Sequence, residues 1–303
     1  MKKSPRYISG LDIQNDYISV TQYSFEQDAV LLIAIQPVST VENIDQLQNT
    51  ENKLKELRGK FKFHSPDVVC SIASDCAVIK HISCDRDEPD LKGMVKWELS
   101  QQLISQVDQY VFDFQELLSS NGNSRDVLAV AFHSESVKNL TSMLKKLKLN
   151  PLVMDLDIFA LINVHEANYK ENIPFNTIIV HGESEKTKMV LTKNGVFLDN
   201  DSFEYNYEAI DPVSYFQRLQ GEISRFAGLS GINAGDGSLR ILFTGSLFCQ
   251  EEFRDAAGGF MGNGEILNPF RKVNCLAGVD EENLAKYSPQ LAVAVGLALR
   301  GGN

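Results

Sequence analysis

The sequence predicts an α/β fold built from two copies of one lobe, and three observations lead there. Two stretches, from Tyr7 to Val38 and from Phe175 to Phe203, each break into three short strand-like segments separated by polar turns, the pattern of an antiparallel meander. Each meander is followed by an amphipathic helix, a short apolar strand and further helix, so the second half restarts the grammar of the first. The length of 303 residues slightly exceeds what one hydrophobic core usually serves, which makes two lobes of roughly 150 residues the default arrangement.

The first meander reads as "YISGLDI", "YISVTQYS" and "AVLLIAIQPV", with turns at Gln14-Asn15-Asp16 and Glu26-Gln27-Asp28. A charged helix follows, carrying Ile44, Leu47, Leu54 and Leu57 along one side, and Pro66 then precedes the strand "DVVCSIA". Residues 77–83 form another strand. Pro89-Asp90 opens a helix whose Leu91, Met94, Val95, Leu99 and Leu103 share a stripe. The strands "QYVFDFQELL" and "DVLAVAFH" flank a polar loop from Ser119 to Ser124, and a helix with Val137, Leu140, Leu144 and Leu147 leads through Pro151 into "LVMDLD". Asp157 is expected to cap the next helix, which begins at Ile158.

The second meander reads as "FNTIIVHG", "KTKMVLTKNG" and "VFLDNDSF", joined by Gly182-Glu183-Ser184-Glu185 and by the hairpin turn Asn194-Gly195. Val213, Phe216, Leu219, Ile223 and Phe226 line one side of the helix after it, and a glycine-rich loop precedes the strand "LRILFTG". "GGFMGNG", at residues 258–264, lacks the Lys-Ser/Thr ending of a phosphate loop and reads as a helix terminus and surface turn. A final helix of small residues is expected to start near Ser288-Pro289, with proline in its first turn.

Composition narrows the functional classes. Forty acidic against 29 basic residues give a net charge of −11, which argues against a broad nucleic-acid-binding surface. Lys2, Lys3 and Arg6 precede no apolar segment of signal-peptide length, and no apolar run is long enough to span a bilayer, so a cytoplasmic location is expected. The five cysteines form no C-x2-C pair and read as buried thiols, with no metal site.

Several blocks in order carry a family resemblance: "GLDI" from Gly10, "VKWELSQQL" from Val95 with "VDQYVFDFQEL" to Leu117, "DVLAVAFHSESVKNLTSMLKKLKLNPLVMDLDIFAL" from Asp126, "LNPF" from Leu267 and "SPQLAVAVGLALR" from Ser288. Through them the chain resembles the PilM family of type IV pilus assembly proteins, including the MshI-like pilus biogenesis relatives. The resemblance implies duplicated actin-like (ribonuclease H-like) lobes, with an inserted α+β subdomain in the first lobe and a reduced insertion in the second. The lobes would span 1–168 and 169–303, with the inserted subdomain at about 77–125, extending as far as 150. It also implies attachment to the inner membrane through a partner, because family members hold the cytoplasmic N-terminal tail of a PilN-like membrane protein. An assembly ATPase or self-association are further partners it implies.

Several members of the family bind ATP between the lobes, and the matching positions here are Asp12, Gln14, Gly182, Ser184 and Gly245. A phosphate cradle needs close backbone N–H groups and carboxylates that position magnesium or water. Asp12 stands at the first acidic position, but the glycine-serine turn after it is replaced by Gln14-Asn15-Asp16. In the second turn, aligning Gly182 and Ser184 with the family puts Val180 at the acidic position, while Glu183, Glu185 and Lys186 crowd the turn. Thr244-Gly245-Ser246 keeps one glycine of a pair. These departures point to a degenerate nucleotide cleft with no catalytic residue and no bound cofactor. An ATP- and magnesium-dependent switch in the same assembly is the alternative.

His181 invites a general-base role, yet no Ser or Cys nucleophile accompanies it in a local motif. The partner surface is expected on the inserted subdomain, where Tyr110, Phe112 and Phe114 alternate along "YVFDF" and Trp97 lies on the preceding helix. The competing structural role for these aromatics is to pack that strand against the helix carrying Trp97. A short, partly apolar tail can be held by such a groove without catalytic groups.

Overall fold

Strand β1 (Tyr7–Ile13) runs antiparallel to β2 (Tyr17–Ser24), with Tyr7 opposite Ser24 and Ile13 opposite Ile18, and β2 pairs antiparallel with β3 (Ala29–Pro37). The computed structural model describes residues 6–38, 46–117, 124–170, 175–206, 210–234 and 237–300. Helix α1 (Gln46–Lys60) buries Leu54 and Leu57, and β4 (Asp67–Ile72) then returns parallel to β1. Such a crossover needs a helix between parallel strands, which accounts for an amphipathic helix after each meander.

The chain forms two compact units, Ile72–Lys148 and the remainder, Met1–Ser71 with Leu149–Asn303. The smaller unit is a sheet ordered β5 (Ala77–Asp85), β7 (Ser124–His133), β6 (Tyr110–Leu117), all antiparallel, with α2 (Leu91–Ser100) and α3 (Ser134–Lys146). The Asp90 side chain accepts the Gly93 N–H and starts α2. The helix stops at Ser100, so Leu103 of the expected stripe lies beyond it, although it still joins the core. The loop expected from Ser119 lies outside the described residues up to position 123, and β7 begins at Ser124.

In the larger unit, β8 (Asn150–Leu156) and α4 (Asp157–Asn168) precede the second meander of β9 (Asn176–Gly182), β10 (Lys186–Lys193) and β11 (Val196–Glu204). Helix α5 (Pro212–Leu229), capped by Asp211, leads to β12 (Leu239–Thr244), and α6 (Glu251–Ala257), β13 (Gly264–Ile266), β14 (Asn274–Cys275) and α7 (Glu281–Arg300) complete the chain. One sheet is ordered β14-β3-β2-β1-β4-β8 and the other β11-β10-β9-β12-β13. Leaving aside β14, the two sheets have the same strand order, so the repeated grammar of the sequence is a repeated topology. In the second lobe, Tyr215, Phe216, Leu219, Ile223 and Phe226 of α5 pack on Ile178, Val180, Met189 and Phe243 of the sheet.

Three local expectations are corrected. Helix α7 starts at Glu281, not near Ser288: Asp280 accepts the Asn283 N–H at its start and Pro289 falls inside. Proline there removes one helical hydrogen bond; the carbonyl of Ala285 instead accepts the Ser288 hydroxyl at 3.1 Å. The "GGFMGNG" segment is more than a surface turn, because Gly264 opens β13, which pairs parallel with β12. Asp157 is the first residue of α4 and not its cap, and its side chain is committed to Lys188 of β10.

Helix α7 packs against β1 and β2 of the first lobe, against α4, and against the 3₁₀ turn Ser246–Cys249 of the second lobe. Its small residues make this possible. A Cβ on Gly296 would stand 1.9 Å from the backbone oxygen of Ala160, so only glycine lets α4 and α7 approach this closely.

Candidate functional site

The two meander turns have the same local construction. Gln14 N–H donates to the carbonyl of Tyr17 at 2.9 Å, and Glu183 N–H donates to the carbonyl of Lys186 at 2.9 Å. By this internal correspondence Ile13 matches Gly182, and the counterpart of Asp12 is His181. Side chains alternate along a strand, so Val180, one residue earlier, points the other way and is buried in the second-lobe core.

Asp12 is completely buried at the end of β1. Its Oδ1 accepts from Ser71 Oγ at 2.8 Å and from Gln14 Nε2 at 2.9 Å, while Oδ2 is buried with no hydrogen-bond partner among the described residues. Across from it lies Glu183, only 7% exposed. Its Oε1 accepts from the Tyr17 hydroxyl at 3.0 Å and is in direct contact with His181 Nε2, and its Oε2 accepts from Ser246 Oγ at 3.2 Å. The Tyr205 hydroxyl donates to the Glu183 backbone carbonyl. Below this cluster Lys188 of β10 forms a buried ion pair with Asp157 of α4.

The electrostatics follow from packing acids together away from water. Burial, reinforced by the charge of Glu183, pushes the Asp12 carboxyl up to about 7. The same two causes raise Asp16 to about 6, with a hydrogen bond to Ser184 opposing them. Burial works to lower His181, but the charge and hydrogen bond of Glu183, with Asp12 behind them, raise it above the usual imidazole value. The Tyr17 hydroxyl is held well above its ordinary range by burial and then by Glu183.

Of the residues singled out in the sequence, Asp12, Gln14, Gly182, Ser184 and Gly245 converge on this place. Gln14 serves Asp12, Ser184 lies near enough to Asp16 to oppose the rise in its proton affinity, and Gly182 and Gly245 lie backbone to backbone. Gly245 has φ +101° and a Cβ there would stand 2.2 Å from the carbonyl oxygen of Gly182, so both conformation and space require glycine. Tyr17, Ser246 and the Asp157–Lys188 pair were not singled out as site residues. No local motif marks them, because each acts through a residue distant in sequence. Among the described residues, no group of three or more His, Cys, Asp or Glu is arranged to hold a metal ion.

The other candidates lie in the unit Ile72–Lys148. Tyr110, Phe112 and Phe114 face inward and pack with Val95 and Leu99 of α2, Ile82 of β5 and Val127, Ala129 and Ala131 of β7. The packing role weighed for this aromatic face is therefore present. Trp97, between the buried Val95 and Leu99, points away from that core and is 60% exposed.

Two lobes of matching strand order, joined through α4 and α7 with a polar cleft between their meander turns, define a protein of the actin-like ATPase fold. Solved structures with this architecture include EutJ from Carboxydothermus hydrogenoformans (TM-score 0.54, 10% identity, covering 98% of this chain and 90% of that one). They also include the cytoplasmic domain of EpsL, an inner-membrane component of the type II secretion system of Vibrio cholerae (TM-score 0.52, 12% identity, covering 93% and 94%). The PilM–PilN type IV pilus biogenesis complex contains a chain of the same fold, with a TM-score of 0.79 and 19% identity over 98% of both chains. The sequence profile of the type IV pilus assembly protein PilM matches residues 10–179, more than half of the sequence, and the chain belongs to that family. No curated protein sequence matches it. No helix among the described residues is long and apolar enough to cross a membrane.

Proposed function

We propose that this protein is a cytoplasmic scaffold of a type IV pilus or related secretion platform, which binds the N-terminal cytoplasmic tail of a PilN-like inner-membrane protein and hydrolyses no nucleotide. The observation that carries the reading is the match, over nearly the full length of both chains, to a structure of a PilM–PilN complex. A fold alone does not specify a function, but the family match and this likeness point to the same assembly.

The cleft supports the second half of the proposal. Triphosphate binding calls for N–H donors and cations, whereas this cleft holds Glu183 close enough to Asp12 and Asp16 to raise the proton affinity of both. His181, the structural counterpart of Asp12, stands where a second acid would be, and Val180 beside it is part of the core. Glu183 fills the donors that remain. The residues present do not fit ATP with magnesium.

For the tail we assign an anchoring contact to Trp97, which projects from α2, with Tyr110, Phe112 and Phe114 shaping the sheet beneath that helix. An exposed tryptophan on a rigid helix has the character of an interface hot spot. Calorimetric titration with the synthetic N-terminal cytoplasmic tail of a PilN-like protein from the same organism tests the reading. Saturable binding at about micromolar Kd, weakened about tenfold by Trp97→Ala, is the expected result. Absence of binding to that tail overturns direct tail recognition. A parallel titration with ATP and magnesium should show no saturation below about 100 μM; saturation there overturns the reading of the cleft.

A further inference from the structure

The donors around Glu183 come from separate parts of the fold. Tyr17 begins β2 of the first lobe, His181 lies on β9 of the second, and Ser246 opens the 3₁₀ turn after β12. Tyr17 and Ser246 donate hydroxyls to the two oxygens of one carboxylate, and the His181 ring nitrogen lies against it as an ion-pair partner. The main chain at this position is fixed as well: Glu183 N–H closes the turn on Lys186, and the Tyr205 hydroxyl donates to the Glu183 carbonyl. A carboxylate placed between two other acids, Asp12 and Asp16, raises their proton affinity and so carries an electrostatic cost. Its donors offset that cost, and one of them belongs to the opposite lobe.

We propose that the space between the two meander turns is an oxyanion site filled by the chain's own Glu183, and that this tethered anion latches the first lobe to the second through Tyr17. In this arrangement the lobes hold together without a soluble ligand, and the buried Asp157–Lys188 ion pair adds a second tie between them. Removing the Glu183 side chain leaves Tyr17, His181 and Ser246 as an open cup for a small carboxylate. A nucleotide triphosphate is too highly charged for a place walled by Asp12 and Asp16. The proposal concerns how the lobes are held and stands whether or not a membrane protein's tail binds.

The test is chemical rescue of the full chain carrying Glu183→Ala, with Glu183→Gln as the variant that keeps the shape and loses the charge. Thermal unfolding of Glu183→Ala is expected about 5 °C below the parent, and tens of millimolar formate or acetate should recover a substantial part of that loss while leaving the parent unmoved at equal ionic strength. Glu183→Gln should fall between the two and show no rescue. Amide exchange at the turn following Ile13 should quicken in Glu183→Ala and slow again with formate, a readout that a local packing defect in the second lobe would not give. A Glu183→Ala protein as stable as the parent, or a rescue by formate that equals its effect on the parent, overturns the proposal. Should Glu183→Ala not fold, the Glu183→Gln variant decides: amide protection at the first-lobe turn equal to the parent's overturns the latch, and faster exchange there supports it.

Discussion

The hydroxyl of Tyr17 donates to the carboxylate of Glu183 at 3.0 Å, joining residues 166 positions apart and tying the turn of one meander to the turn of the other. Both groups are buried, so neither has water as a substitute partner. Tyr17→Phe removes the donor and leaves the acceptor in place. We expect a loss of about 2 kcal/mol, read as a lower midpoint in chemical denaturation with an unchanged slope. A variant as stable as the parent would mean that the bond contributes nothing to holding the turns.

The same cluster sets a pH dependence. A carboxyl such as Asp12, raised to about 7 in the folded protein, binds a proton between about pH 4 and 7 that the unfolded chain has already released. Its contribution is therefore complete at low pH and is lost as pH rises through 7. Asp16, raised to about 6, and His181, also raised, act in the same direction. Glu183 and Asp157 favour the protonated forms, Lys188 opposes them at His181, and the titration belongs to the group as a whole. Raising pH from 6 to 8 should cost about 1 kcal/mol of stability. Asp12→Asn should flatten that part of the profile, and unfolding midpoints across the range would show it.

The buried pair of Lys188 and Asp157 makes a separable prediction. Replacing Lys188 with Met leaves a buried carboxylate without its cation and should destabilise the protein by about 3 kcal/mol or more. The double variant with Asp157→Leu should recover much of that loss, because an apolar pair of similar volume has no charge to desolvate. Equal stability of the single and double variants would contradict this.

Much of this fold is legible from period and punctuation. The meanders, the helix after each and the duplicated order follow from polar turns at Gln14-Asn15-Asp16 and Gly182-Glu183-Ser184-Glu185, which are local signals. The start of α7 was not, because proline is favoured in a first turn and nothing local shows that Ser288 can satisfy the carbonyl that Pro289 leaves without its usual donor. The two-residue strand β14 is too short to have a period, and its pairing with Ala29 and Val30 is fixed from far away. In the cleft, the acids were visible but their partners were not: Tyr17 reads as an ordinary strand residue until Glu183 is placed opposite it.

The aromatic face of the smaller unit separates two roles that the sequence left together. Phe112→Ala should destabilise the unit Ile72–Lys148 by about 2 kcal/mol, because the ring packs in its core, and any loss of partner binding would follow from that. Trp97→Ala, at a 60% exposed position, should leave unfolding within about 0.5 kcal/mol of the parent. Measuring stability and tail binding side by side for both variants distinguishes a core aromatic from a contact aromatic.

Gly296→Val tests the close approach of the long helix to α4. A side chain there meets the Ala160 backbone oxygen, which cannot rotate away, so a loss of about 3 kcal/mol or more is expected, with poor recovery of soluble protein. Normal stability would require the two helices to separate without penalty.

The position of α7 also governs the order in which the molecule can be assembled. Its residues cover β1 and β2, and β14 just before it pairs with β3, yet both leave the ribosome long after those first strands. The opening meander must therefore wait, partly uncovered, while the whole second lobe is translated. The first sheet cannot be completed vectorially from the amino end, and its late closure leaves apolar strand surface exposed during synthesis.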